Sequence, residues 1–429
     1  MQTILDRKEA PSSNKIESFN LIQAKKNVLD NGIPVYSINA GYQDLIKIEF
    51  IFRNISFDIK KPLLNSATNR LMSEGTSKYN SQQLADHIDY YGSFFETEEN
   101  SDFTTVILFT LNKHLEATIP FIRDLIQDPV FPESEVGVYI QNSKQQLVVD
   151  NERTSSITRR RFNEIIFGEK HPYGYYVQHG DYDGLSRANL LSHYQKKYIP
   201  QNCTIIISGV VKDETIKILN NYFGKQTQSL TEKLTFQEQV FSSSIEKKHL
   251  VERKDAVQSG LRIGKPFFNR THPDYPGMAV VNTLLGGFFG SRLMSNIRED
   301  KGYTYSIGSA IVSMRQEGYF FISTEVGVDV TKEAIEEIYN EIELLTKESV
   351  EYDELEMARN YMLGSFLKGV DGAFHLAERF KSIYLYDLDY SYYEKYMEKI
   401  RTIQPDEIKD LACKYFEPSG FFELVVGRK

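Results

Sequence analysis

Apolar runs closed by glycine punctuate this chain twice in the same way. The first is Cys203-Thr204-Ile205-Ile206-Ile207-Ser208-Gly209, and the second is Phe421-Phe422-Glu423-Leu424-Val425-Val426-Gly427. Each is short, apolar and glycine-terminated, the pattern of a buried strand followed by a turn. Earlier in each half comes another strand-like run, TTVILFTL at 104–111 and YFFISTEV at 319–326. Helical periodicity follows each: from Leu115 to Ile126 in the first half, and from Thr331 to Leu345 in the second. In the second helix Ile335, Ile338, Ile342 and Leu345 share one face, and Glu336, Glu337, Glu341 and Glu343 are expected on the other. FPESEV and EYDELEM then mark the next elements. The markers recur at an offset of roughly 215 to 220 residues, which predicts a duplicated domain.

Between the halves, KQTQSLTEKLTFQEQVFSSSIEKK (225–248) is polar and reads as a linker. The expected organisation is a tail at 1–16, a first domain at 17–224, the linker, and a second domain at 249–429. Strands and helices come in runs within each half. That pattern predicts an α+β fold, two homologous α/β sandwiches with helices on one face of a mostly antiparallel sheet.

Composition narrows the function. The 429 residues are too many for one ordinary core, and 41% hydrophobic with 25% charged residues is a globular balance. A net charge of −9 argues against nucleic acid as the main partner. Arg159-Arg160-Arg161 reads as the solvated face of a helix. Two distant cysteines, Cys203 and Cys413, support neither a disulfide framework nor a thiolate zinc site. The opening MQTILDRKEAPSSNK lacks the apolar stretch of a secretory signal, and no run reaches the ~18 apolar residues of a membrane span. The expectation is a cytoplasmic protein that does not engage a membrane.

The eight histidines include no pair three or four residues apart, so no helical two-histidine metal site is present. His171 and His272 precede proline and are expected in loops. No nucleophile elbow or Walker-type phosphate loop occurs. The most suggestive string is LGGFFGSRLMSNIREDKGYTY (285–305). It predicts a glycine turn, a short helix from Ser291 to Asp300, a stop at Gly302, and a strand carrying Tyr305. Gly286, Gly287 and Gly290 would permit a positive φ or a close approach by another segment. Arg298, in the last helical turn, would by itself do no more than complement the helix dipole. The tyrosines at 384, 386, 390, 392, 393 and 396 suggest helix packing or a subunit interface.

LLGGFFGSRLMSNIREDKGYTYSIGS resembles the second-domain signature of the pitrilysin/insulinase, or inverzincin, metallopeptidases: a glycine turn, a small residue plus Arg, then Arg-Glu-x-x-Gly-x-x-Tyr. NGIPVYSINAGYQD (31–44) is similar to the family's opening strand pair, HPYG (171–174) to its mid-domain loop, and NYMLGSFLKGVDGAFHLAERFK (360–381) to its long second-domain helical segment. The family's zinc motif, H-x-x-E-H, lies just before a Gly-Thr pair. Counting back from Gly75-Thr76, its positions fall on Ser66-Ala67-Thr68-Asn69-Arg70. Both histidines and the general-base glutamate are replaced, by Ser66, Arg70 and Asn69. The third ligand position falls near Gln146. The resemblance therefore implies no zinc or other cofactor on this chain. It implies that Arg298 and Tyr305 hold the peptide backbone and oxyanion in trans, at the zinc of an HxxEH-bearing partner, as in the mitochondrial processing peptidase. The alternative is a scaffold or peptide-binding homodimer without peptidase activity. Unfolded peptide is the expected substrate in either case, held by strand addition.

Overall fold

The computed structural model describes residues 21–54, 57–225 and 240–429. The expected tail at 1–16 and most of the expected linker lie outside these residues. Residues 242–244 lie along the end of the Thr154–Phe167 helix, where the Ser242 and Ser244 amides donate to Phe167 O (3.1 Å) and Ile165 O (2.8 Å).

The first sheet contains β1 (Lys25–Val28), β2 (Pro34–Asn39), β3 (Leu45–Arg53), β4 (Phe94–Glu99), β5 (Phe103–Leu111) and β6 (Cys203–Gly209), in the order β1-β2-β6-β3-β5-β4. The second contains β7 (Lys248–Glu252), β8 (Gln258–Phe267), β9 (Ile307–Ser313), β10 (Gly318–Gly327) and β11 (Phe422–Gly427), in the order β7-β11-β8-β10-β9. β7 starts at Lys248, the last residue assigned to the linker from sequence. In both halves the glycine-terminated strand slots between an edge-side parallel neighbour and a central antiparallel one. β6 pairs parallel with β2 and antiparallel with β3, and β11 does the same with β7 and β8. The two runs that announced the repeat are thus the same strand of the same unit.

A smaller repeat escaped the sequence reading. Asn54, just past β3, donates its amide to Asn100 O and Ser101 O (2.9 and 3.0 Å), clasping the β4–β5 turn. Asn269, just past β8, does the same to Met314 O and Arg315 O (3.1 and 2.8 Å) at the β9–β10 turn. One amide satisfies two turn carbonyls that the ladder cannot reach.

Each sheet buries both faces. Inner-face side chains such as Ile48, Phe50, Ile205 and Ile207 in the first half, and Leu261, Ile263 and Val425 in the second, pack on their own half's helices. The outer faces take a helix from the opposite half. Phe162, Ile166 and Phe167 of helix Thr154–Phe167 pack on Phe422, Leu424 and Val426 of β11. Leu376, Ala377 and Phe380 of helix Ala373–Tyr384 pack on Ile38, Ile51 and Ile206. The helices-on-one-face expectation holds for each half by itself, and the reciprocal exchange covers the other face.

Tyr384, Tyr386 and Tyr390 of the tyrosine cluster lie at this internal junction, whereas Tyr392, Tyr393 and Tyr396 pack inside the second half. Tyr384 bonds Thr204 of β6 (3.2 Å), Tyr386 donates to Ser313 O (2.5 Å), and Tyr390 accepts from the Ala24 amide (2.9 Å). Glu341 departs from its expected solvent face. It is buried, because Asn296 reaches it with an amide at 2.7 Å. Among the described residues no helix is long and apolar enough to cross a membrane.

Candidate functional site

The degenerate motif lies on helix Leu64–Leu71, which follows the Asn54 clasp. Ser66 and Arg70 are four residues apart and share one helical face. Ala67, Thr68, Asn69 and Leu71 are buried. Arg70 lines a cleft of about 350 Å³ together with Glu74, Glu135, Tyr139, Asn142, Ser143 and Gln146. Gln146, on helix Glu133–Glu152, turns along its own helix and donates to Asp150 Oδ1 (3.0 Å). Ser66 donates to Leu63 O (3.0 Å). Burial pushes the Tyr139 phenol up to about 12, with the Glu99 charge adding to the effect.

Asn69, which the sequence places at the expected general-base position, is a clamp. Its Nδ2 donates to Glu98 O (2.8 Å) at the sheet edge, and its Oδ1 accepts from Tyr198 (3.1 Å). A group so held cannot activate water. The cleft offers hydroxyls, amides and a guanidinium, and Arg70 places positive charge where a metal ligand would be needed. Among the described residues no three His, Cys, Asp or Glu side chains could hold a metal. Glu74 and Glu135 supply carboxylates. Burial raises the Glu74 pKa, Arg70 opposes that rise, and Glu135 adds to it.

Behind the helix lies a polar cluster that the sequence reading missed. Lys197 is completely buried, and its ammonium donates to Asn54 Oδ1 (2.6 Å) and Asn65 Oδ1 (2.9 Å). Desolvation brings it down to about 7, partly offset by Glu99. Glu99 is pushed up to about 7 by the same loss of water, with Lys197 pulling the other way. His193 Nε2 meets Asn65 Oδ1 at 3.0 Å, and burial followed by the Lys197 and Lys196 charges depresses it to about 3. A signal was available: Leu190, Tyr194 and Lys197 fall at helical spacing on one face, which points the lysine inward.

In the second half, helix Tyr275–Asn282 runs on into a π-helical turn, Thr283–Gly287, where a glycine turn was expected. Gly286 and Gly287 do not have positive φ. A Cβ on Gly286 would lie 2.7 Å from the Ser309 amide and 2.9 Å from Leu293 Cδ1, so close packing on β9 is what requires glycine. The following helix also ends in a π turn, Met294–Asp300, with the Lys301 amide donating to Asn296 O at 2.9 Å. Asn296 fixes this turn on helix Thr331–Lys347 by donating to Glu337 (3.0 Å) and Glu341 (2.7 Å). Gly302, at φ 66°, then redirects the chain.

Arg298 projects from the π turn, with its guanidinium carbon 5.3 Å from the Tyr305 ring centre and 4.7 Å from that of Phe289. Tyr305 lies two residues before β9, where the Thr304 hydroxyl anchors the turn on Glu325 O (2.7 Å). The ring is 87% exposed. Arg292, six residues before Arg298, forks onto Glu354 at 2.7 and 2.9 Å. The Arg298 guanidinium makes no hydrogen bond or ion pair among the described residues. Its donors and the phenol are available to an external acceptor. The structure therefore brings Arg298 and Tyr305 together, and Arg70 and Gln146 together. The cleft lined by Arg70 contains only first-half residues.

Comparison with known proteins fits this picture. Residues 184–362, spanning the end of the first half and much of the second, match the family described as Peptidase M16 inactive domain. An uncharacterised zinc protease of Rickettsia felis is 22% identical over 408 residues, covering 93% of this chain and 95% of that protein. A protein of Helicobacter pylori named as a non-peptidase homologue, YmxG, is 21% identical over 372 residues, covering 84% and 83%. The crystal structure of a peptidase M16 inactive domain from Pseudomonas fluorescens superposes with a TM-score of 0.82 at 18% identity, over 95% of this chain and 98% of that one. Over residues 184–362 the chain is similar to the Peptidase M16 inactive domain family, and its overall fold is that of M16 inactive-domain structures.

Proposed function

We propose that this chain is the non-catalytic subunit of a heteromeric zinc peptidase. In this reading Arg298 and Tyr305 bind the substrate peptide, and the oxyanion formed from it, at the zinc of an HxxEH-bearing partner. The observation that carries the proposal is the state of Arg298. Its guanidinium lies beside an exposed phenol and has no internal ion-pair or hydrogen-bond partner among the described residues. Meanwhile the motif positions hold Ser66, Asn69 and Gln146, which make hydrogen bonds within the first half, and Arg70, which lines the cleft. Once a bound peptide and the partner exclude water from them, donors aimed at developing negative charge are worth about 10²–10³ in kcat each. The zinc and the activated water would come from the partner.

The test is peptide cleavage by the chain co-purified with an HxxEH relative. Arg298→Ala and Tyr305→Phe should each cut kcat by about a hundredfold or more without dissociating the complex. Wild-type turnover in both variants would refute the trans role. The H. pylori relative is named a non-peptidase homologue, which is also compatible with a second reading, a peptide-binding or scaffold homodimer. Native mass spectrometry separates the two: a homodimer that ignores every HxxEH relative offered to it supports the second.

A further inference from the structure

We infer that Phe289 is a third contact residue of the Arg298/Tyr305 site, and that it selects peptides with an apolar side chain next to the residue whose carbonyl Arg298 takes. This rests on the peptide-binding reading above and adds a specificity to it.

Phe289 is 60% exposed, and its ring lies against the Arg298 guanidinium, 4.7 Å from ring centre to carbon. Its neighbour Phe288 turns the other way and stacks on Tyr361 of helix Tyr352–Lys368, ring centres 4.9 Å apart. A Cβ on Gly290 would lie 2.9 Å from the Phe288 ring and 3.2 Å from Met357 Sδ. The turn is therefore pressed against that helix on one side and, through Gly286, against β9 on the other. The outward ring sits on a rigid mount, which lowers the ordering cost of binding. Met357 and Tyr361, on the helix that Phe288 and Gly290 press against, are themselves exposed.

The chemistry beside it selects the occupant. Arg298 has Phe289 and Tyr305 over it, so its N–H donors remain for acceptors in the plane of the guanidinium. A peptide carbonyl fits those donors. An extended peptide advances about 3.3 Å per residue, with successive side chains on opposite sides. Phe289, with its ring centre 4.7 Å from the guanidinium carbon, lies within reach of a side chain neighbouring the carbonyl being held. An aliphatic or aromatic side chain there would cover the exposed ring. A carboxylate there would lose water against the ring and would compete with the backbone carbonyl for the Arg298 donors.

The test is fluorescence anisotropy on the purified chain, using labelled Gly/Ser/Thr peptides that differ at one central residue: Leu, Phe, Ala or Asp. The Leu and Phe peptides should bind roughly fivefold tighter than the Ala and Asp peptides. Phe289→Ala should erase that preference, and Phe289→Leu should restore part of it. Arg298→Ala should weaken all four peptides alike. If Phe289→Ala keeps the wild-type preference while Arg298→Ala still weakens binding, Phe289 is not the selecting residue and the peptide-binding reading stands. If Arg298→Ala and Tyr305→Phe change no affinity, or no peptide binds, the peptide-binding reading falls and this inference with it. Unchanged thermal melting of the Phe289 variants shows that the effect is local.

Discussion

Glu49 and Arg262 occupy the same place in the duplicated sheet. Glu49 on β3 stands opposite Ile206 of β6, and Arg262 on β8 stands opposite Leu424 of β11. Both are buried on the face covered by the other half's helix, yet they carry opposite charges and are handled differently. Glu49 accepts from Lys381 at 2.7 Å and lies 3.2 Å from Lys47, and Glu378 closes the ring at 2.9 and 2.8 Å from the two lysines. Arg262 has no ion pair among the described residues. It lies 4.0 Å from the Phe321 ring centre and 5.6 Å from that of Phe162. A carboxylate is repelled by aromatic faces and needs cations when it leaves water. A guanidinium is weakly hydrated, and rings can carry it. The duplicated fold thus fixes where a charge is buried but leaves open how it is compensated.

The largest expected effect comes from breaking the ring. Lys381→Ala leaves Glu49 buried beside Lys47 alone and should cost about 3 kcal/mol in urea unfolding. Replacing both partners, as Glu49→Leu with Lys381→Met, should cost much less, because no orphaned charge remains. Burial works against the Lys381 charge, but Glu49 and then Glu378 outweigh it and hold its pKa above the ordinary lysine value. A raised lysine contributes stability below its unfolded pKa and loses it as pH climbs through the folded one. The ring should therefore persist through neutral pH and fail at both extremes: in strong alkali as Lys381 loses its proton, and in acid as Glu378 gains one, since burial raises that carboxyl but Lys381 and Lys47 outweigh it and hold its pKa low.

His193 shows a third solution, which is to stay neutral. Its depression to about 3 means that the unfolded chain takes up a proton between roughly pH 6.5 and 3 while the folded chain does not. Stability should be intact above pH 6.5 and fall by a few kcal/mol on acidification through that window. Urea midpoints at neutral pH and near pH 4.5 measure the fall, and His193→Asn should make it shallower. An unchanged acid slope in that variant would assign the loss to other groups. Arg262→Met, by contrast, should cost under about 1 kcal/mol, since it removes a cation–π contact and a desolvated charge together. A cost as large as that of Lys381→Ala would mean that Arg262 is paired after all, and the contrast with Glu49 would vanish.

The duplicated sheets were legible because a buried strand closed by glycine is a strong local pattern, repeated at one spacing. The exchange of helices was not. Phe162, Ile166 and Phe167 announce an apolar face, but nothing in a helical period says which sheet it will meet. Single polar clamps were equally silent: Asn54, Asn69 and Asn269 look like any loop or helix asparagine until their carbonyl partners are seen. Counting back from Gly75-Thr76 named Ser66, Asn69 and Arg70 without saying what they do now. At Arg298 and Tyr305 the motif gave positions, while the presentation came from a π turn and a Gly286–Ser309 contact that no propensity scale encodes. Phe289 was passed over because a phenylalanine inside an apolar string reads as core.

The finest contrast lies within one short stretch. Arg292 and Arg298 are of the same type and belong to the same helical segment, and both were read as part of one motif. Arg292 forks onto Glu354 in a partly buried pair, so Arg292→Ala removes two charge-assisted hydrogen bonds and strands a carboxylate. About 2 kcal/mol of unfolding free energy should go with it. Arg298 makes only ring contacts near the surface, and Arg298→Ala should shift stability by no more than about 0.5 kcal/mol. Paired urea titrations decide the matter. If Arg298→Ala proves as costly as Arg292→Ala, Arg298 is serving the fold, and a free guanidinium kept for a substrate is no longer the reason it is there.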